Sequence, residues 1–85
     1  MMLTKNEIYD RVVGILETSF EIDSQKISLS SRLGEDLDID SIDAVDLIVQ
    51  LKPLIGDGLK PEAFKSVRTV EHVVATVHAL IANSA

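Results

Sequence analysis

The stretch Leu33-Gly34-Glu35-Asp36-Leu37-Asp38-Ile39-Asp40-Ser41-Ile42-Asp43-Ala44-Val45-Asp46-Leu47 decides how this chain is read. Up to Asp40 it is acidic and turn-like, and from Ser41 its apolar residues recur at helical spacing. Asp40 fits the N-cap, where its carboxylate accepts an otherwise unpaired backbone N–H, and Asp43 falls at the third helical position. Ile42, Val45, Ile48 and Val49 form an expected apolar stripe, widened by Ala44, Leu47 and Leu51. Asp43, Asp46 and Gln50 lie three and four apart and are expected to share an exposed face. Pro53 lacks a backbone donor and disfavours helix at Lys52, so an end or kink is expected there. Ser41 therefore sits at a helix start, directly after a capping acid.

Outward from this stretch the chain is helical. Thr4 and Glu7 make a capping box ahead of Ile8, Val12, Ile15, Leu16 and Phe20, with Gly14 weakening the middle of the helix. Residues 21–31 are polar and hold Ser24, Ser28, Ser30 and Ser31, while Ile22, Ile27 and Leu29 are expected to pin them to the core. A connection this long favours a functional role. Gly56-Asp57-Gly58 reads as a turn, and Pro61 suits the first position of a short helix through Lys65. Thr69 caps the last helix, whose stripe is Val70, Val73, Val74, Val77, Leu80 and Ile81. Four valines lower its helix propensity, so packing must hold it. The expected fold is all-α, a four-helix bundle with a long first loop and a short third helix.

Composition narrows the function. Eighty-five residues make one domain, 1–85, with a modest core. There is no Cys, hence no disulfide framework and no thiolate metal site. Neither a signal peptide nor a run of about 18 apolar residues is evident, so a cytoplasmic protein without a membrane span is expected. The net charge of −6 comes from one window, since residues 33–51 hold six acids and no basic residue. Such a field repels nucleic acid and steers basic protein surfaces; a merely solvated acidic face accounts for the charge equally well.

Two chemistries fail on spacing. Asp36, Asp38 and Asp40 alternate as in a calcium loop, but Ser41 stands where that loop needs Gly and Leu47 where it needs Glu. No metal site is expected. A hydrolytic Ser41 would need a base, and the only histidines, His72 and His78, lie six apart on the last helix. No G-x-S-x-G elbow is present, so no catalytic residues and no enzyme activity are expected.

Asp40-Ser41-Ile42-Asp43 at the start of the second helix, preceded by Glu35-Asp36-Leu37 and followed later by Val67-Arg68-Thr69-Val70, resembles the acyl carrier protein family. The resemblance covers most of the chain. It implies that Ser41 accepts 4′-phosphopantetheine from coenzyme A, that Asp40 completes the attachment motif, and that the arm's thiol holds acyl groups. It implies a phosphopantetheinyl transferase as partner, then ketosynthases, acyltransferases and related enzymes of fatty-acid-like or polyketide-like biosynthesis. By the same resemblance, Ile42, Asp43, Asp46 and Val49 face partners, and a monomer is expected. Val45, Ile48, Leu51, Leu59, Phe64 and Val73 are candidates to line the acyl chain, ordinary core being the alternative for each.

Fatty-acid carriers commonly have Gly three residues before the serine, where this chain has Asp38. Their second helix ends rich in Glu, where this chain has Gln50, Lys52 and Pro53. These departures point to a specialised carrier, and residues 60–70 resemble carriers of polyketide-like clusters such as those making aryl polyenes. A peptidyl or aminoacyl carrier, or an unmodified acidic interaction domain, remains the alternative.

Overall fold

A computed structural model describes residues 4–56, 61–64 and 67–83. These comprise three α-helices, α1 (Lys5–Ser19), α2 (Ser41–Ile55) and α3 (Val70–Asn83), with 3₁₀ turns at Ser24–Lys26 and Pro61–Phe64. The architecture is all-helical. No helix among the described residues is long and apolar enough to cross a membrane.

The capping box closes as its sequence demands. The Glu7 N–H donates to Thr4 Oγ1 and the Thr4 N–H to Glu7 Oε1, each at 3.2 Å. Ile8, Val12 and Leu16 are fully buried, whereas Ile15 and Phe20 are half-buried. At the end of α1, Glu21 takes a left-handed φ of 55°, and the Ile22 N–H reaches back to the Leu16 carbonyl at 3.1 Å.

The long connection from α1 to α2 is held chiefly by backbone. Leu33 N–H donates to Arg68 O (2.9 Å), Val70 N–H to Ser31 O (3.0 Å) and Glu71 N–H to Leu29 O (2.9 Å). Arg32 and Thr69 thereby form an isolated antiparallel bridge. Tyr9 Oη donates to Ile27 O at 3.1 Å, and the buried Ser31 hydroxyl donates to Lys26 O and accepts from the Ser28 N–H. Ile27, Leu33, Leu37 and Ile39 are buried. Leu29 differs from expectation, its side chain being 45% exposed, because that residue is fastened by its carbonyl instead.

Two expectations for α2 need correction. Its buried face is Leu47, Leu51 and Ile55, with Ala44, Ile48 and Leu54 half-buried. Ile42, Val45 and Val49 point outward at 78%, 60% and 58% exposure. The helix is apolar around most of its circumference, so periodicity alone could not choose the inward face, and packing against α1 and α3 did. The helix also runs through Pro53 to Ile55, and Gly56 (φ 73°) ends it with its N–H on the Lys52 carbonyl. A proline inside a helix costs about 3 kcal/mol, whereas burying a side chain such as Ile55 returns roughly 1.5–3 kcal/mol. The half-buried Leu54 adds to that return.

The expected short third helix is, among the described residues, the 3₁₀ turn Pro61–Phe64, which buries Phe64. Asp57, Gly58 and Lys65, named in the expected turn and short helix, lie outside the described residues. Thr69 caps α3 as expected, accepting the His72 N–H at 3.2 Å. Val70, Val73, Val74 and Val77 are all buried, so packing compensates for their low propensity. α3 makes its most extensive contact with α1, while α2 packs on both.

A Cβ built on Gly14 meets nothing within 4 Å. Gly14→Ala should therefore stabilise the fold by about 0.5–1 kcal/mol, read as a raised denaturant midpoint with an unchanged slope.

Candidate functional site

The site grows from Asp40. Its backbone is extended (φ −85°, ψ −175°), its carboxylate Oδ1 accepts the Asp43 N–H at 2.9 Å, and its carbonyl accepts the Ala44 N–H at 2.9 Å. Ser41 is the first residue of α2. The helix start is thus fixed by the side chain directly before the serine, with Ile39 buried just outside it.

The chain arrives through a strained step. Asp38 has φ 56°, a left-handed conformation that glycine adopts freely and other residues adopt at a cost. The Ile39 N–H then donates to the Leu33 carbonyl at 2.8 Å, closing the acidic turn on itself. Within that turn the Arg32 N–H donates to Asp36 Oδ2 at 2.8 Å, and Arg32 pairs with Glu35 (2.6 Å) and Asp36 (3.5 Å). The backbone bond from the Arg32 N–H, opposed by desolvation and aided by the Arg32 guanidinium, lowers the Asp36 carboxyl below its ordinary range. The contribution to folding is full above the ordinary carboxylate range and is lost as pH falls through and below it. Being exposed, these ion pairs contribute little. The acidic turn is held by its backbone.

Asp38→Gly should be at least as stable as the parent. Asp38→Val should lose on the order of 1–2 kcal/mol, measured by urea unfolding.

Beside this helix start lies a groove of about 700 Å³ whose apolar walls include Leu33, Ile39, Ala44, Val45, Ile48, Phe64 and Val67, with Asp40 at its edge in sequence. Leu33, Ala44, Ile48, Phe64 and Val67 also line a smaller cavity of about 50 Å³, completed by Leu47, Leu51 and Val73. The two spaces therefore share walls from α2, from Leu33 of the preceding connection and from Phe64 and Val67 ahead of α3. Of the residues named from sequence for the acyl chain, Ile48 and Phe64 line both spaces, Leu51 and Val73 the inner one and Val45 the outer one. Leu59 lies outside the described residues.

Of the residues named for partners, Ile42, Asp46 and Val49 are exposed, whereas Asp43 is half-buried. Gln50, also half-buried, donates to Asp46 Oδ2 at 3.5 Å. Sequence reasoning missed Leu33, Val67 and Arg68 as groove residues. They flank the Arg32–Thr69 bridge, a non-local pairing that leaves no periodic signal. His72 Nδ1 accepts the Arg68 backbone N–H at 3.1 Å, so that nitrogen serves the start of α3.

A phosphoryl group on residue 41 would stand at a helix N-terminus, where free N–H groups and the dipole favour an anion. An arm leaving that point would have the groove beside it. The donor set and the space both fit a phosphate-linked arm, which when bound supplies a thiol that this cysteine-free chain lacks.

Comparison with known proteins agrees. Residues 10–77 match the family profile described as phosphopantetheine attachment site. The chain is 45% identical over 80 residues to acyl carrier protein 2 of Ralstonia nicotianae, covering 94% of this chain and 99% of that protein. It is 29% identical over 72 residues to the acyl carrier protein of Petrotoga mobilis, covering 85% of each. The acyl carrier protein of Saccharopolyspora erythraea is 29% identical over 83 residues, covering 98% of this chain and 87% of that protein. The chain belongs to the acyl carrier protein family, with 4′-phosphopantetheine as its covalently attached prosthetic group.

Proposed function

We propose that Ser41 is the attachment residue and that the chain, a single domain over 1–85, is a non-catalytic carrier of acyl thioesters. The observation that carries this reading is the Asp40 cap: it fixes residue 41 as the first residue of α2 beside an apolar groove. Loading is a phosphoryl transfer. The Ser41 oxygen forms a bond to the β-phosphorus of coenzyme A, the hydroxyl proton leaves to a base of the Mg²⁺-dependent transferase, and adenosine 3′,5′-bisphosphate departs. In this chain Asp40 holds the helix start rigid, and the walls around Ile48 and Phe64 offer the acyl group shelter from water.

Visiting enzymes, among them the transferase, ketosynthases and acyltransferases, would dock on the outer face of α2. Ile42, Val45 and Val49 there form an exposed apolar stripe flanked by the exposed Asp46. Desolvating that stripe would hold a partner, while the acid steers its approach. Lys52 and Pro53, both exposed in the last turns of α2, stand where a Glu-rich helix end is expected of fatty-acid carriers, and they favour a specialised, polyketide-like pathway over general fatty-acid synthesis. The turn Pro61–Phe64 would then serve as the short third element of a four-helix carrier bundle, acting as a cytoplasmic monomer.

The chain's lack of Cys makes the test direct. Incubation with coenzyme A, Mg²⁺ and a broad-specificity transferase should create one reagent-titratable thiol per chain. Ser41→Ala should fold normally and gain none; a thiol appearing on that variant would refute the assignment.

For docking, Asp46→Lys should slow association with a partner ketosynthase at low salt, with the difference shrinking as salt is added. Val49→Asp should instead speed dissociation. Stopped-flow binding distinguishes the two effects.

A further inference from the structure

Five charged residues line the outer groove: Arg32, Glu35, Asp40, Glu62 and Arg68. Three of them are committed. Arg32 and Glu35 pair with each other at 2.6 Å, and the Asp40 carboxylate accepts the Asp43 N–H. Arg68 differs. Its backbone is fixed on both sides, N–H to His72 Nδ1 and carbonyl to the Leu33 N–H, yet its exposed guanidinium has no acidic partner among the described residues. A cation anchored at its Cα, without an acidic partner among the described residues and lining the groove beside the helix start is suited to an anionic oxygen, which a guanidinium can grip through two parallel N–H donors.

The occupant follows from the volumes. The inner cavity of about 50 Å³ is too small for a chain of several carbons, so an arm or an extended cargo lies in the outer groove of about 700 Å³. Resting on the assignment of Ser41 as the attachment residue, we infer that Arg68 is a positioning residue that receives an anionic oxygen of the loaded group in this groove. The oxygen belongs either to the phosphodiester at the root of the arm or to a carboxylate on the acyl cargo. Glu62, in the same groove, repels an anion and so narrows where it can settle. In the first case the contact fixes the root of the arm whatever the cargo; in the second the carrier discriminates among acyl groups by charge.

The test uses the full chain, isotopically labelled, in apo form and loaded from coenzyme A, hexanoyl-coenzyme A or malonyl-coenzyme A. Loading is confirmed by mass, and the Arg68 Nε–H resonance is read at low salt. A shift on passing from apo to every loaded form identifies the phosphodiester. A shift confined to the malonyl form identifies a cargo carboxylate. Either supports the inference. In the supporting case Arg68→Gln should also move the ³¹P resonance of the arm, or the malonyl carbonyl resonances, toward their free values, and Arg68→Lys should restore part of the difference. Both variants keep the backbone bonds of residue 68, so an unchanged backbone spectrum separates positioning from misfolding. An Arg68 resonance that stays put in all loaded forms overturns the inference while leaving the carrier reading intact. A chain that takes no arm at all overturns both.

Discussion

Three backbone hydrogen bonds fasten the connection between α1 and α2 to the start of α3: Leu33 to Arg68, Val70 to Ser31 and Glu71 to Leu29. Without them the acidic turn would be a tether, and the start of α2 would have no fixed relation to the rest of the fold. With them, Leu33, Leu37 and Ile39 are drawn into the core, and the chain reaches Asp40 with one geometry. The carboxylate cap then completes what the backbone began. Residue 41 is thereby fixed as the first residue of α2 by structure on its N-terminal side.

The same stitching gives the groove its walls. Leu33 and Val67 flank the Arg32–Thr69 bridge, and together with Ala44, Ile48 and Phe64 they line both the outer space and the inner cavity. Stability and function thus share residues. Leu51 and Val73 fill core positions while lining the inner cavity, so a group larger than that cavity could enter it only by displacing or rearranging what packs the protein, whereas the outer groove is open without such repacking. In the outward stripe Ile42 and Val49 line neither space, while the exposed Val45 also borders the outer groove.

Local signals in the sequence were dependable. The Thr4–Glu7 box, the Asp40 cap and the Thr69 cap each follow from a side chain acting within one turn, and each is found in the structure. Asp38, where related carriers commonly have Gly, proves to occupy a left-handed conformation that explains the preference. What escaped was decided at a distance. The inward face of α2 could not be read from a helix apolar nearly all round, and its passage through Pro53 depends on burial of Ile55. The bridge between residues 32 and 69 joins segments far apart in sequence, so Arg68 had no signal marking it as a groove residue. The family itself was legible, because the short pattern Asp40-Ser41-Ile42-Asp43 opens a helix in an all-helical chain, and the family profile matches residues 10–77.

The central claim, that a capped helix start carries the arm on one particular serine, is tested most directly by tandem mass spectrometry of the loaded chain after proteolysis. The account predicts the phosphopantetheinyl group on Ser41 alone. A fully loaded chain carrying it on Ser24, Ser28, Ser30 or Ser31 of the preceding connection would contradict the account.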